Sequence, residues 1–227
     1  MVVKGLLYAG GVNQGYNYPR YGMDLQLLGS SLLRLDGSSL DYLQFLYGPG
    51  NIQLDTSGGF VVAGDASKNS LTTALSDFTQ TVSNEDIFVV VISNHGGPLK
   101  KGVFESKIWC WNEENISASD FASLCNAIPS KYQIFILGQC NSGGCIPALE
   151  SQNRIILTAC AWDEVSYASS AYAGQYDEFL LRVAEGFDAS LKSIRDIFSY
   201  AKRSDREDES PQYSDLGNLG NKILVYK

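Results

Sequence analysis

Ile87-Phe88-Val89-Val90-Val91-Ile92-Ser93-Asn94-His95-Gly96-Gly97 decides how this chain folds. Its first six residues are apolar without alternation, the pattern of a strand buried on both faces. The run ends in the chain's one histidine, followed by a glycine pair. Further along, Tyr132-Gln133-Ile134-Phe135-Ile136-Leu137-Gly138 repeats the pattern and ends in Gln139-Cys140-Asn141-Ser142-Gly143-Gly144. Two buried strands thus each deliver one reactive side chain, and a histidine beside a cysteine is a base beside a nucleophile.

Working outward, residues 2–9 read as a first strand and 10–20 as a loop rich in Gly, Asn and Tyr. A helical stripe follows, with Leu25, Leu28, Leu32 and Leu35 at spacings of three and four. Residues 42–46 read as a short strand and 60–63 as a strand or extended turn. Asp65-Ala66-Ser67 resembles a cap opening a helix over 71–82. Ile108-Trp109-Cys110-Trp111 reads as a small hairpin, and Ser117 or Ser119 caps a helix over 119–127. Residues 154–159 give another buried strand, 175–185 and 189–203 two helices, and 222–226 a last strand. The charged stretch 203–210 reads as a solvated loop. Continuous apolar strands separated by helices predict an α/β fold with a mostly parallel sheet covered on both faces. Ligands of such sheets bind at the carboxyl ends of the strands, where His95 and Cys140 both fall.

The chain has 227 residues, 44% of them hydrophobic and 19% charged, which fits one globular domain spanning 1–227. A net charge of -8 argues against a nucleic-acid partner, which needs clustered Lys and Arg. No run reaches the roughly 18 apolar residues of a membrane span. The five cysteines are odd in number and form no CxxC pair, so neither a disulfide framework nor a zinc site is expected. Reduced thiols and the lack of a signal-type apolar segment predict a cytoplasmic protein; a secreted one would have lost a signal peptide.

At His95 and Cys140 the sequence resembles the caspase-like cysteine peptidases of the caspase–hemoglobinase fold, clan CD. The residues that carry the likeness are Asn94-His95-Gly96-Gly97 and Gln139-Cys140-Asn141-Ser142-Gly143-Gly144. Three more segments are similar to the legumain branch. They are Gly15-Tyr16-Asn17-Tyr18-Pro19-Arg20 with Asp24 after it, Thr158-Ala159-Cys160-Ala161-Trp162-Asp163-Glu164-Val165-Ser166-Tyr167-Ala168, and Pro211-Gln212-Tyr213-Ser214-Asp215. The resemblance implies a three-layer α/β/α sandwich around a mostly parallel six-stranded sheet. It also implies a cysteine endopeptidase acting through a thioester, with no cofactor and no metal. Its partner is a protein or peptide substrate, and the chain is a monomer or a homodimer paired through the last strand.

In that resemblance Cys140 is the nucleophile and His95 the proton-transfer group, with the N–H groups of Gly96 and Cys140 forming the oxyanion hole. Asn17 looks like the residue that orients the histidine, although a turn asparagine has the same appearance. Arg20, Gly138, Gln139, Ser166 and Gln175 fall where relatives line the specificity pocket, with Arg20 the reader of an Asn or Asp side chain. Gly138 stands where legumains carry Glu and metacaspases Asp, and Pro19 interrupts the legumain-like loop. Asp163, Glu164 or Asp177 are the candidates to restore negative charge. Only 145–153 separates the cysteine segment from the next strand, so two-chain maturation there is not expected; cuts within 99–107 or 203–211 stay open. Three rivals accompany this reading: a transamidase or peptide ligase on the same dyad, a non-catalytic binding module, and a redox sensor using Cys145 as resolving thiol.

Overall fold

Ile87–Ile92 and Tyr132–Leu137 are neighbouring parallel strands, β4 and β8, in the computed structural model, which describes residues 2–50, 60–221 and 226. They sit at the centre of a seven-stranded sheet. Its other members are β1 (Val3–Ala9), β2 (Ser38–Tyr47), β3 (Val62–Gly64), β9 (Arg154–Thr158) and β10 (Gln212–Ser214), ordered β10-β9-β8-β4-β1-β2-β3. Every neighbouring pair is parallel except β10 against β9. A small antiparallel sheet of β5 (Gly96–Pro98), β6 (Ser106–Trp109) and β7 (Asn115–Ser117) follows His95.

The unbroken apolar runs have a direct packing cause: successive side chains point to opposite faces, and both faces are covered. Val89, Val91, Ile134 and Ile136 pack against α1 (Pro19–Leu32), α5 (Glu178–Asp188) and α6 (Ile194–Ser204), through Leu25, Leu28, Phe179, Phe187 and Ile197. Phe88, Val90, Ile92, Phe135 and Leu137 pack against α2 (Lys68–Thr81), α3 (Ala118–Asn126) and α4 (Ile146–Leu149), through Leu71, Leu75, Phe121, Cys125 and Leu149. Removing one fully buried ring such as Phe135 costs about 3–5 kcal/mol.

Four helices start on side-chain caps: Ser67 accepts from the Ser70 N–H, Ser117 from Asp120, Asp177 from Leu180 and Ser193 from Asp196. Each such cap contributes about 1 kcal/mol. Asp177 and Ser193 are also why α5 and α6 begin later than the sequence pattern predicts. α1 has no side-chain cap and starts instead on Pro19, whose missing N–H is harmless in a first turn.

The α/β class and the mostly parallel sheet agree with expectation, while the strand count is seven rather than six. The added strand, β10, has three residues, too few for a periodic signal, and lies antiparallel at the edge. The expected hairpin at 108–111 is part of the small sheet instead, with Ile108 and Trp109 in its middle strand. The expected last strand over 222–226 falls outside the described residues except for Tyr226, which bridges to Leu35. Among the described residues no helix is long and apolar enough to cross a membrane.

Candidate active site

β4 and β8 end level with each other, Ile92 paired to Leu137. His95 and Cys140 each follow three residues later, so the two loops leave the sheet side by side. They touch backbone to backbone. A Cβ at Gly96 would lie 2.0 Å from the Cys140 carbonyl oxygen, so only glycine permits this approach. Buried Asn94 ties the histidine loop down. Its Oδ1 accepts from the N–H of His95 (2.8 Å) and of Gly11 (2.9 Å), and its amide donates to the Trp109 carbonyl.

The cysteine loop is held from the other side. Asn141 takes a left-handed conformation, φ 58°, donates from its backbone to the Glu164 carbonyl (2.8 Å) and from its amide to the Trp162 carbonyl (2.8 Å). Its own carbonyl accepts from the Ser106 hydroxyl of β6. Cys140 stays half-buried, with Sγ 3.7 Å from the Ser166 hydroxyl, which itself donates to the Gly138 carbonyl (2.9 Å). The backbone N–H of Cys140 makes no hydrogen bond among the described residues.

His95 is packed among the rings of Tyr16, Tyr18 and Tyr21, at centroid distances of 5.8, 5.2 and 5.5 Å. Its Nε2 lies 3.0 Å from the Tyr16 carbonyl. A carbonyl only accepts, so Nε2 carries the proton and Nδ1 keeps its lone pair. Burial holds the imidazole pKa below its ordinary value; the Tyr16 carbonyl opposes this and the Arg20 charge adds to it. At neutral pH the ring is therefore an uncharged base.

Four of the expected site residues are placed as follows. Asn17 does not bond to His95: its amide bonds to the Tyr47 hydroxyl, and the side chain lies against Gly11 and Gly48. The carbonyl of the preceding residue does the orienting. Gln139 points away from the cleft, fully buried, and donates to the Lys107 carbonyl (3.3 Å), because strand alternation sends it to the face opposite Gly138. Gly138 presents no side chain, and Leu180 fills the space a Cβ would need. Gln175 is exposed on a turn, its N–H donating to the Tyr172 carbonyl (3.0 Å).

Arg20 lies against the rings that pack on His95, and Ser166 lies against the Cys140 thiol. The Arg20 guanidinium stacks over Tyr18 and Tyr21, 4.5 and 5.0 Å from their ring centroids. No carboxylate is within ion-pairing distance of it among the described residues. Below it, Asp24 is fully buried, accepting from the Ser93 hydroxyl (2.6 Å) and the Asp177 N–H (3.0 Å). Burial raises the pKa of both aspartates, their mutual repulsion raises that of Asp177 further, and Arg20 opposes the shift in each.

The charged stretch 203–210 is not a solvated loop. Glu207 accepts from the Ser170 N–H (2.9 Å), Glu209 from the Tyr167 N–H (2.9 Å), and Glu164 from the Ser210 N–H and hydroxyl. Residues 159–176 form no regular strand, so these N–H groups lack ladder partners, and carboxylates supply them. Glu164, thus engaged, is not free to face a substrate, and Asp163 is exposed. Glu209 Oε1 and Asp205 Oδ2 are buried without a hydrogen-bond partner among the described residues, and each carboxyl raises or lowers the other's pKa. Burial, then Asp177 and Asp205, push the Glu209 pKa up to about 10.

The family profile of the Peptidase C13 family matches residues 59–225, a span that contains His95, Cys140 and Ser166. The chain belongs to this family. Membership in this legumain-like C13 family implies cysteine peptidase activity on peptide substrates. The matched span leaves out Asn17, Arg20, Tyr21 and Asp24, so the tyrosine-rich loop is the part of this C13 chain that its own geometry must explain. Among solved structures, protein GSU0716 from Geobacter sulfurreducens is similar in fold, with a TM-score of 0.68, 10% identity and 98% of each chain covered. No curated protein matches the sequence.

Sequence reasoning missed Tyr21, Asn94 as an anchor, and Glu207 and Glu209. Tyr21 carried a signal, being one of three tyrosines that flank Arg20. Glu207 and Glu209 carried none, since their partners are distant in sequence.

Proposed function

We propose that this chain is a single-domain cysteine endopeptidase that cleaves after Asn or Asp, with Cys140 as nucleophile and His95 as proton-transfer group. The observation that supports this reading is the backbone contact between Gly96 and Cys140, which brings the histidine and cysteine loops together, with the imidazole Nε2 against the Tyr16 carbonyl and Nδ1 left as the base. The Cys140 proton passes to Nδ1 as sulfur attacks the peptide carbonyl carbon. The carbonyl oxygen becomes an oxyanion and accepts from the N–H of Cys140 and of Gly96. The imidazolium then gives its proton to the departing amine, the C–N bond breaks, and a thioester remains. Nδ1 next takes a proton from water, which hydrolyses the thioester and restores the thiol. Asn17 supports this chemistry through the loop it anchors, whose Tyr16 carbonyl keeps the tautomer fixed.

The specificity reading rests on Arg20, a cation facing rings rather than a carboxylate, with Asp177 within its electrostatic reach and Ser166 against the Cys140 thiol. An oxygen-bearing side chain meets that guanidinium by charge-assisted hydrogen bonds. The test is titration with peptide acyloxymethyl ketones that differ only in the last residue (Asn, Asp, Arg or Leu). An adduct at Cys140, fastest with Asn or Asp and lost in Cys140→Ala, is the expected result. No adduct with any of the four refutes the peptidase reading; a fastest reaction with Arg refutes the specificity.

A further inference from the structure

Tyr21 is the one site-facing tyrosine that is buried, 3% exposed, and its hydroxyl makes no hydrogen bond among the described residues. The other two buried tyrosines show the usual outcome: the Tyr8 hydroxyl donates to the Ala66 carbonyl at 2.8 Å, and the Tyr47 hydroxyl bonds to the Asn17 amide. Buried tyrosines normally find such a partner; the Tyr21 hydroxyl is not among the fully buried unpartnered polar atoms, so its oxygen stays open to solvent and to a ligand. Tyr21 stands in the third position of α1, one residue after Arg20, whose guanidinium folds back over the Tyr21 ring. Its ring meets the His95 imidazole edge-on, 5.5 Å between centroids at 83°, and carries the Arg20 guanidinium over its face at 5.0 Å. The ring itself packs in the core beneath the sheet edge, and the charges of Arg20, Cys140 and Asp177 all act on the hydroxyl. Burial raises its pKa, so at any physiological pH it is a donor.

We propose that Tyr21 is a substrate-contacting residue, its hydroxyl donating beside Arg20 to the side-chain oxygen of the residue on the amino side of the scissile bond. This rests on the peptidase reading above. Two donors at fixed spacing match one acceptor oxygen, which both a carboxamide and a carboxylate supply. An apolar side chain of the same size leaves the hydroxyl unpaired and is rejected for that reason.

The experiment compares wild type with Tyr21→Phe, which keeps the ring and its contact with His95. Second-order inactivation rates are measured with acyloxymethyl ketones ending in Asn, Asp and Leu, with thermal melts as a control for folding. The expected result is a loss of about tenfold with Asn and Asp and none with Leu. The pH profile of the Leu probe should also stay in place, because His95 is untouched. Equal loss with all three probes, or a shifted pH profile, overturns the proposal and makes Tyr21 a support for His95. Unchanged Asn and Asp rates overturn it too. Failure of the parent reading shows itself separately, as a wild type that reacts with no probe, and takes the proposal with it.

Discussion

At the N-terminal end of β9, Arg154 is buried with all three guanidinium nitrogens engaged. Nε donates to Gln133 Oε1 (2.8 Å), Nη1 to the Leu149 carbonyl (3.0 Å) and Nη2 to Asn126 Oδ1 (2.8 Å). Gln133 in turn donates to the Cys125 carbonyl at 2.9 Å. At the C-terminal end of the same sheet, polar groups are left open: Asn17 Oδ1 is buried without a partner, the Tyr21 hydroxyl and the Cys140 N–H make no hydrogen bond among the described residues, and Arg20 faces only rings. Each unpaired buried group costs about 1–3 kcal/mol. Around Arg154 the polar groups thus serve the fold, whereas around Arg20 and Cys140 several stay open. This agrees with the general placement of sites at the carboxyl ends of parallel strands.

The sharpest test separates the two edges by what they disable. Cys140→Ala should abolish covalent labelling while shifting stability by no more than about 0.5 kcal/mol, read by mass spectrometry and urea melts. His95→Ala should slow labelling by about 10²- to 10⁴-fold. It should also remove the acid-side rise in rate, whose wild-type midpoint lies below the ordinary histidine value because the ring is partly buried. Arg154→Met should do the opposite, costing about 3 kcal/mol by orphaning Gln133, Asn126 and Leu149 oxygens. Labelling per folded molecule should not change. If Arg154→Met slows labelling in fully folded protein, the division between the edges fails.

Gly138 tests the border between them. A Cβ there would meet Leu180 Cδ1 at 2.5 Å, so Gly138→Ala overpacks the junction of β8 with α5 and should cost about 1–3 kcal/mol. Adding Leu180→Ala should recover part of that loss, and a double-mutant cycle measures the coupling. Strict additivity would mean that Gly138 is chosen for something other than this contact.

The central sheet was legible because its strands are buried on both faces and therefore apolar throughout. His95 and Cys140 stood out for the same reason, as the first polar chemistry after each run. What escaped was set by distance in sequence or by strand register. Gln139 lies next to the nucleophile, yet the period of two sends it into the core. Asn17 sits one residue from the group that orients His95, and a motif cannot tell a side-chain amide from the neighbouring carbonyl. Glu207 and Glu209 looked like solvated charge because composition says nothing of the Ser170 and Tyr167 N–H groups they meet after α6 turns the chain back.

That acidic strap gives the smallest expected effect and the clearest sign. Glu209 holds its proton up to about 10 in the fold, against an ordinary carboxylate value when unfolded, because it is buried beside Asp177 and Asp205. A raised pKa contributes stability that is complete below the ordinary carboxylate range and is lost as pH climbs toward the folded value, by at most about 1.4 kcal/mol per pH unit for each proton retained. Asp24 and Asp177 act in the same direction. The melting temperature of the wild type should therefore fall steadily from pH 5 to pH 9, an interval inside that window. Glu209→Gln cannot ionise and still accepts from the Tyr167 N–H, so its decline should be shallower. Matching slopes would mean that the strap does not hold this proton, and the open polar groups of the C-terminal edge would then be confined to the substrate cleft.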